Sequence, residues 1–416
     1  MNRDLCRTFD EIVESRSVVD ALNWLAEHFC EQNDPHRLFE VRKMQSRHRA
    51  GQPVFSRRQR TLAANPPLDS MEHDLLMACR EAGQRLVEQQ RYQQAWQFLS
   101  PLDDRDQVRS LFESNPPDEE HVSEWIDVTL YQGAHPIAGY RRLLKEFGTC
   151  NAISTWEAIQ THLYPEDASA LAESLVAHGY GEIGDNLCRT LAESDSADSR
   201  VRALIELWQK RQGSSEVGPR VLPGGELPGE WLSSLLDVAS HEIASSVPHC
   251  DATHLAAIVR IGRRAKSSEA WAQLLELCRY GELFPEALQY PEQPLFDPMY
   301  ADHRLYYGAF LDRDREHAIA HFTDRLRSMH NSPERELAVE IIAEWLDRLG
   351  CTAQAVSLAV DLDAYYVGQR GISPTLLELG LSSDQPQPLV DYYHHRHDLL
   401  SYAILKLSMR ESRLPI

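Results

Sequence analysis

Apolar residues recur at three- and four-residue spacing along most of this chain, a periodicity that predicts helices rather than strands. The most informative stretch is Glu81 to Asp103, EAGQRLVEQQRYQQAWQFLSPLD. Gly83 falls where two helices would touch, and Gln90 and Arg91 fall in a turn. Tyr92 and Ala95 open a second helix, whose apolar face continues through Leu99 and Leu102. The pattern returns at Ala270 and Leu274, at Ala318 and Phe322, and at Gly350 and Ala355. Ala318 and Ala355 are 37 residues apart, close to the roughly 34 of one helix-turn-helix repeat. Short β-branched runs such as Ser17 to Val19 do not alternate far enough to make strands.

Around these units the spacing predicts two N-terminal helices over residues 5–50, capping one end, and a proline-bearing loop from Gln52 to Ser70. Asn115, Pro116 and Pro117 break the chain before a helix that Asp118 opens. Gly133 to Pro136 make a turn, and Gly148 closes the helix that follows. In ALAESLVAHGYGEIGDNLCRTL, Gly179 reads as a turn between two helices. The Gly- and Pro-rich segment 212–228 cannot sustain a helix. It marks a linker or long loop between helical halves 1–211 and 229–416. Residues from Leu389 to Met409 read as the terminal helix or helix pair.

Charge narrows the partners. The 416 residues include 63 acidic and 42 basic side chains, a formal net charge of -21, which repels phosphate backbones and anionic lipid. The local run Arg57, Arg58, Arg60 is too short to reverse this and reads as a solvated loop. The start lacks the pattern of a secretory signal, and no stretch reaches the roughly 18 to 20 apolar residues of a membrane span. A soluble cytoplasmic protein is expected. The eight cysteines stand singly with no CxxC pair, as small buried side chains of a reducing compartment do. No cofactor is expected.

Candidate chemistry is sparse. Asp251 and His254 lie three residues apart at a predicted helix start, where they could converge on a metal; alternatively Asp251 is a helix N-cap assisted by Thr253. In YPEQPLFDPMYADHRLYY, Asp297, Asp302 and His303 could join them as a hard-metal or acid/base set. The alternative is that Tyr290, Phe296, Tyr300 and Tyr306 pack this loop while Asp297 caps a helix. His394, His395 and His397 are the densest histidine group, but their spacing does not put all three on one helix face. His317 and His321 have i, i+4 spacing, yet Glu316 lies outside the pair, unlike the helical zinc hydrolases. His135 and Pro136, between Gly133 and Gly139, read as turn chemistry. Gly224-Gly225 lacks the phosphate-loop pattern, and no GxSxG elbow occurs.

The Gly83/Ala95 and Gly350/Ala355 patterns resemble tetratricopeptide-like helical repeats, though no unit carries the full signature and the spacing is uneven. GAHPIAG, DATHLA and YADHRLYY are also similar to segments of an uncharacterised bacterial family of such proteins. The resemblance implies an all-α solenoid of stacked helix-turn-helix units with irregular loops, a scaffold that presents a surface rather than performing chemistry. Its acidic groove would favour basic segments of a protein or peptide partner, with Tyr92, Trp96, Tyr306 and Tyr307 as candidate contact residues. The alternative is a metal-dependent enzyme or metal-binding protein with Asp251, His254, Asp297 and His303 between its halves. A purely structural subunit of a larger assembly is the third reading.

Overall fold

The computed structural model describes residues 2–54, 68–193, 199–213, 231–245, 250–285, 295–368 and 374–411. Among them the protein is all-α, 79% helix in 20 helices and without strands. None of the described helices is long and apolar enough to cross a membrane. The chain divides into two compact units, Met1–Glu146 and Phe147–Ile416. Of the segment 212–228, only Gln212 and Gly213 fall within the described residues, at the end of a helix.

The first unit runs through α1 (Asn2–Ser15), α2 (Val18–Glu31), α3 (Pro35–Arg49), α4 (Leu68–Glu88), α5 (Tyr92–Leu99), α6 (Arg105–Ser114) and α7 (Val122–Ile126). A π-helical turn, Asp127–Tyr131, leads from α7 to α8 (Pro136–Ile159). Three helices therefore stand where two were expected over 5–50. Ser17, extended and with its side chain accepting from Asp20 N, caps α2 and stops α1 from continuing. The expected α4–α5 hairpin is present, with Tyr92, Ala95 and Leu99 buried. The Gly133 turn is there too, at φ 84°.

The second unit opens with Gly148 (φ 75°) breaking the helical geometry of α8. It continues through α9 (Pro165–Ala192), α10 (Ser199–Gly213), α11 (Trp231–Ser245), α12 (Ala252–Ile261), α13 (Ser268–Gly281), α14 (Met299–Phe310) and α15 (Arg315–Ser328). Then come α16 (Pro333–Arg348), α17 (Thr352–Asp361), α18 (Leu376–Ser382), α19 (Gln387–His395) and α20 (Leu399–Glu411). The turn expected at Gly179 is absent, because α9 runs straight through it. That glycine instead lets α9 approach Ile258 of α12, whose Cδ1 would lie 2.5 Å from an added Cβ.

Successive helices pack on one another, α13 on α14, α14 on α15, α15 on α16 and α16 on α17. The small positions singled out in the sequence are buried, Ala95 within the first unit and Ala318 and Ala355 within the second, all at 0% exposure. Phe296, Tyr306, Tyr307, Phe322 and Trp345 form the aromatic centre of the second unit.

Helix ends share one device. At Asn33, Gly51, Gln90, Asp312, Gly350, Asp363 and His397 the backbone turns to positive φ. There the N–H groups of that residue and the next close back on the last helical turn, as in Gly350 N to Asp347 O and Cys351 N to Leu346 O, both 2.8 Å. These are Schellman closures, which satisfy carbonyls that the helix end would leave unpaired.

Candidate functional site

The residues first considered as metal ligands have other roles. Asp251 is the N-cap of α12, accepting from Thr253 N at 2.7 Å and His254 N at 3.4 Å. Hydrogen bonds from Thr253 hold its carboxyl below the usual range. His254 is half-buried; the Glu182 carboxyl nearby is held below its usual range chiefly by His178, then by the hydrogen bond from Thr149, with His254 a minor contributor. Asp297 is exposed. His303 is fully buried, with Nδ1 2.8 Å from Met299 O and its ring stacked 3.9 Å from Phe296. Burial, reinforced by the neighbouring Arg263 charge, pushes its pKa down to about 3.

Among the described residues no three or more His, Cys, Asp or Glu side chains gather so as to hold a metal ion. Asp251, His254, Asp297 and His303 are therefore not brought together as one ligand set. The physical reason lies in the two best characterised members: one carboxylate is taken by a helix terminus and one imidazole by the core.

The candidate partner-binding aromatics also face inward. Tyr92 is buried, with its hydroxyl donating to Asn115 O at 3.3 Å. Tyr306 stacks on Trp345 with ring centroids 5.3 Å apart, and Tyr307 donates to Val259 O. These three tyrosines belong to the interior, which removes them from any contact surface. Trp96 alone of the four is half-buried.

Asp302 is buried and anchors a polar cluster beside the aromatic centre. It faces His321 Nε2 at 2.9 Å and an Arg325 guanidinium nitrogen, while Arg325 also donates to Leu295 O at 3.0 Å. His135 is buried against Glu113, Nε2 to Oε1 2.7 Å, beside the π-helical turn. His394, His395 and His397 are exposed at the end of α19, and His395 Nδ1 faces the Asp391 carbonyl of the same helix. Arg57, Arg58, Arg60, Gly224, Gly225 and Tyr290 lie outside the described residues.

A groove of about 710 Å³ opens between α15, α17 and residues 382–385. The two helices explain it. On α15, Ala318, Phe322 and Leu326 are buried, and one position further along, Ile319, Thr323 and Arg327 form a parallel stripe along the groove. On α17, Ala355 and Ala359 are buried, while Gln354, Ser357 and Asp361 line the opposite wall. Asp384 adds a second carboxylate from beyond α18. Arg327 is 3.9 Å from Asp361 and 3.4 Å from Asp324.

The lining thus mixes apolar side chains such as Ile319 and Leu358 with neutral hydrogen-bonding groups, and sets two carboxylates against one guanidinium. It can receive a polar chain and a cationic side chain. The spacing 319, 323, 327 was visible in the sequence, but the same spacing describes any helix face. Only the packing of α15 on α14 and α16 shows which face remains open. No family model, curated protein or solved structure matches this chain.

Proposed function

We propose that this protein is an interaction protein built from stacked helix hairpins, and that its second unit takes a segment of a partner protein bearing a basic side chain. The observation that carries the reading is the groove between α15 and α17, about 710 Å³ in volume and lined by side chains from two successive helix hairpins. The buried small residues of α4–α5, α14–α15 and α16–α17 support the repeat reading, since each lets helix backbones nest. Asp361 and Asp384 against the single Arg327 favour a cationic ligand group, and the net charge of -21 speeds its encounter.

Fluorescence anisotropy with labelled peptides of alternating Lys-Ser, Glu-Ser and Gln-Ser composition tests this on the full chain. The Lys-Ser peptide is expected to bind best, with affinity falling as salt rises. An Asp361→Lys/Asp384→Lys variant is expected to lose about tenfold or more, corresponding to about 1.4 kcal/mol. Equal binding of all three peptides, or an unchanged Lys-Ser affinity in the variant, overturns the reading.

A further inference from the structure

On the opposite side of α15 from the groove, the structure shows something that histidine spacing alone did not. His317 and His321 stand four residues apart on the helix, with ring centroids 6.3 Å from one another. His317 is exposed and His321 half-buried. His321 Nε2 faces the carboxylate of Asp302 at 2.9 Å, and that carboxylate is only 4% exposed and also paired with Arg325. An ionised carboxylate can only accept, so Nε2 carries the proton and the lone pair of His321 resides on Nδ1. A buried carboxylate that fixes the tautomer and the plane of an imidazole is what a metal-binding histidine normally has behind it.

We propose that His317 and His321 chelate a divalent transition-metal ion of the zinc, nickel or copper type, with Asp302 as the positioning residue behind His321. Imidazole nitrogens suit these borderline cations, whereas magnesium and calcium call for oxygen ligands. Two imidazoles on one metal need nitrogens about 2.0 to 2.1 Å from the ion. The exposed His317 reaches that geometry by rotating about its own side-chain bonds, while His321 stays held. Because no group of three His, Cys, Asp or Glu forms among the described residues, the protein supplies two ligands and water fills the remaining positions. The His-X-X-X-His pair sits outside the groove lining, so this inference stands independently of the peptide reading.

Isothermal titration calorimetry of the full chain with nickel chloride, and separately with zinc chloride, tests it. A site is expected in the wild type that weakens about tenfold or more in His317→Ala and in His321→Ala, the scale of losing one metal contact. His394→Ala/His395→Ala, which alters the other histidine-rich place, should leave that site intact. Thermal unfolding supplies a second readout: nickel should raise the midpoint of the wild type and not that of His317→Ala. Since His317 is exposed, its removal should not unfold the chain. A His317→Ala titration identical to wild type, or a loss that follows His394→Ala/His395→Ala instead, overturns the proposal.

Discussion

Gly83 on α4 lies against Leu99 on α5, so closely that a methyl group added at Gly83 would meet the Leu99 side-chain carbons at 2.5 Å. The contact explains why the turn between these helices can be as short as residues 89–91, since the helices converge at once. Gly83→Val should overpack the crossing and cost about 1 to 3 kcal/mol, measured by urea unfolding. Gly83→Val/Leu99→Ala should cost less than the sum of the two single variants, because the smaller partner makes room. Equal stability of Gly83→Val and wild type would show that the helices do not meet here.

This crossing was legible because a small residue and its large partner sit at fixed offsets from a turn. Helix ends were harder to read. Of the seven Schellman closures, those at Gly51 and Gly350 announce themselves by glycine, but Asn33, Gln90, Asp312, Asp363 and His397 adopt the same left-handed backbone without it. Gly179 misled in the opposite direction: a glycine serving a close helix crossing has the same sequence appearance as one serving a turn. The candidate site was the least legible. Asp251, His254, Asp297 and His303 are suitable residue types, but whether such groups converge depends on contacts distant in sequence. The open groove face is likewise set by what packs on the other sides of α15.

His397 offers a direct test of those helix ends. It holds φ 58° at the exposed end of α19, a conformation that hinders Cβ and suits glycine. His397→Gly should stabilise the protein by about 0.5 to 1 kcal/mol, after the greater freedom of glycine in the unfolded chain is set against the relief. Gly350→Ala, at φ 74°, should do the opposite and cost about 1 kcal/mol or more. Guanidinium unfolding midpoints of the two variants should therefore move apart from the wild-type value.

Glu276 should give the stability of the second unit a pH dependence of known sign. Its carboxylate is buried, accepting from Tyr180 Oη at 2.5 Å and from Ser233 N at 2.7 Å in the first turn of α11. Burial is the dominant influence and raises its pKa above the unfolded value, although both hydrogen bonds pull the other way. The folded state therefore holds this proton more tightly than the unfolded chain. Its stabilising effect is complete below the unfolded value of about 4.3 and is lost as pH rises through the folded pKa. Glu276→Gln keeps an oxygen acceptor for Ser233 N–H but cannot ionise. The unfolding free energy of Glu276→Gln relative to wild type should consequently rise from acid to neutral pH, because wild type alone loses the Glu276 contribution, and parallel profiles would contradict this account.

Because Tyr306 and Tyr307 belong to the core, their replacement should be felt in folding rather than at a surface. Tyr306→Ala removes the ring stacked on Trp345 and should cost about 3 kcal/mol or more. Tyr307→Phe deletes only the hydroxyl bonded to Val259 O and should cost about 1 kcal/mol. Trp96→Ala, at a half-buried position, should cost less than Tyr306→Ala. Differential scanning calorimetry should show Tyr306→Ala as the most destabilised of the three.

The last expectation concerns the Asp302–Arg325 pair that joins α14 to α15. Asp302 is 4% exposed and Arg325 23%, so each charge has been taken largely out of water and depends on the other. Arg325→Met leaves the carboxylate with His321 as its remaining side-chain partner and removes the donor to Leu295 O. That loss should cost about 3 kcal/mol, the scale for uncompensated buried charge. The double variant Asp302→Asn/Arg325→Met withdraws the charge as well as its partner, and should be more stable than Arg325→Met alone. If instead the two substitutions destabilise additively in urea unfolding, the carboxylate and guanidinium are not coupled, and the α14–α15 hairpin is held by its apolar contacts through Phe296, Tyr306 and Phe322.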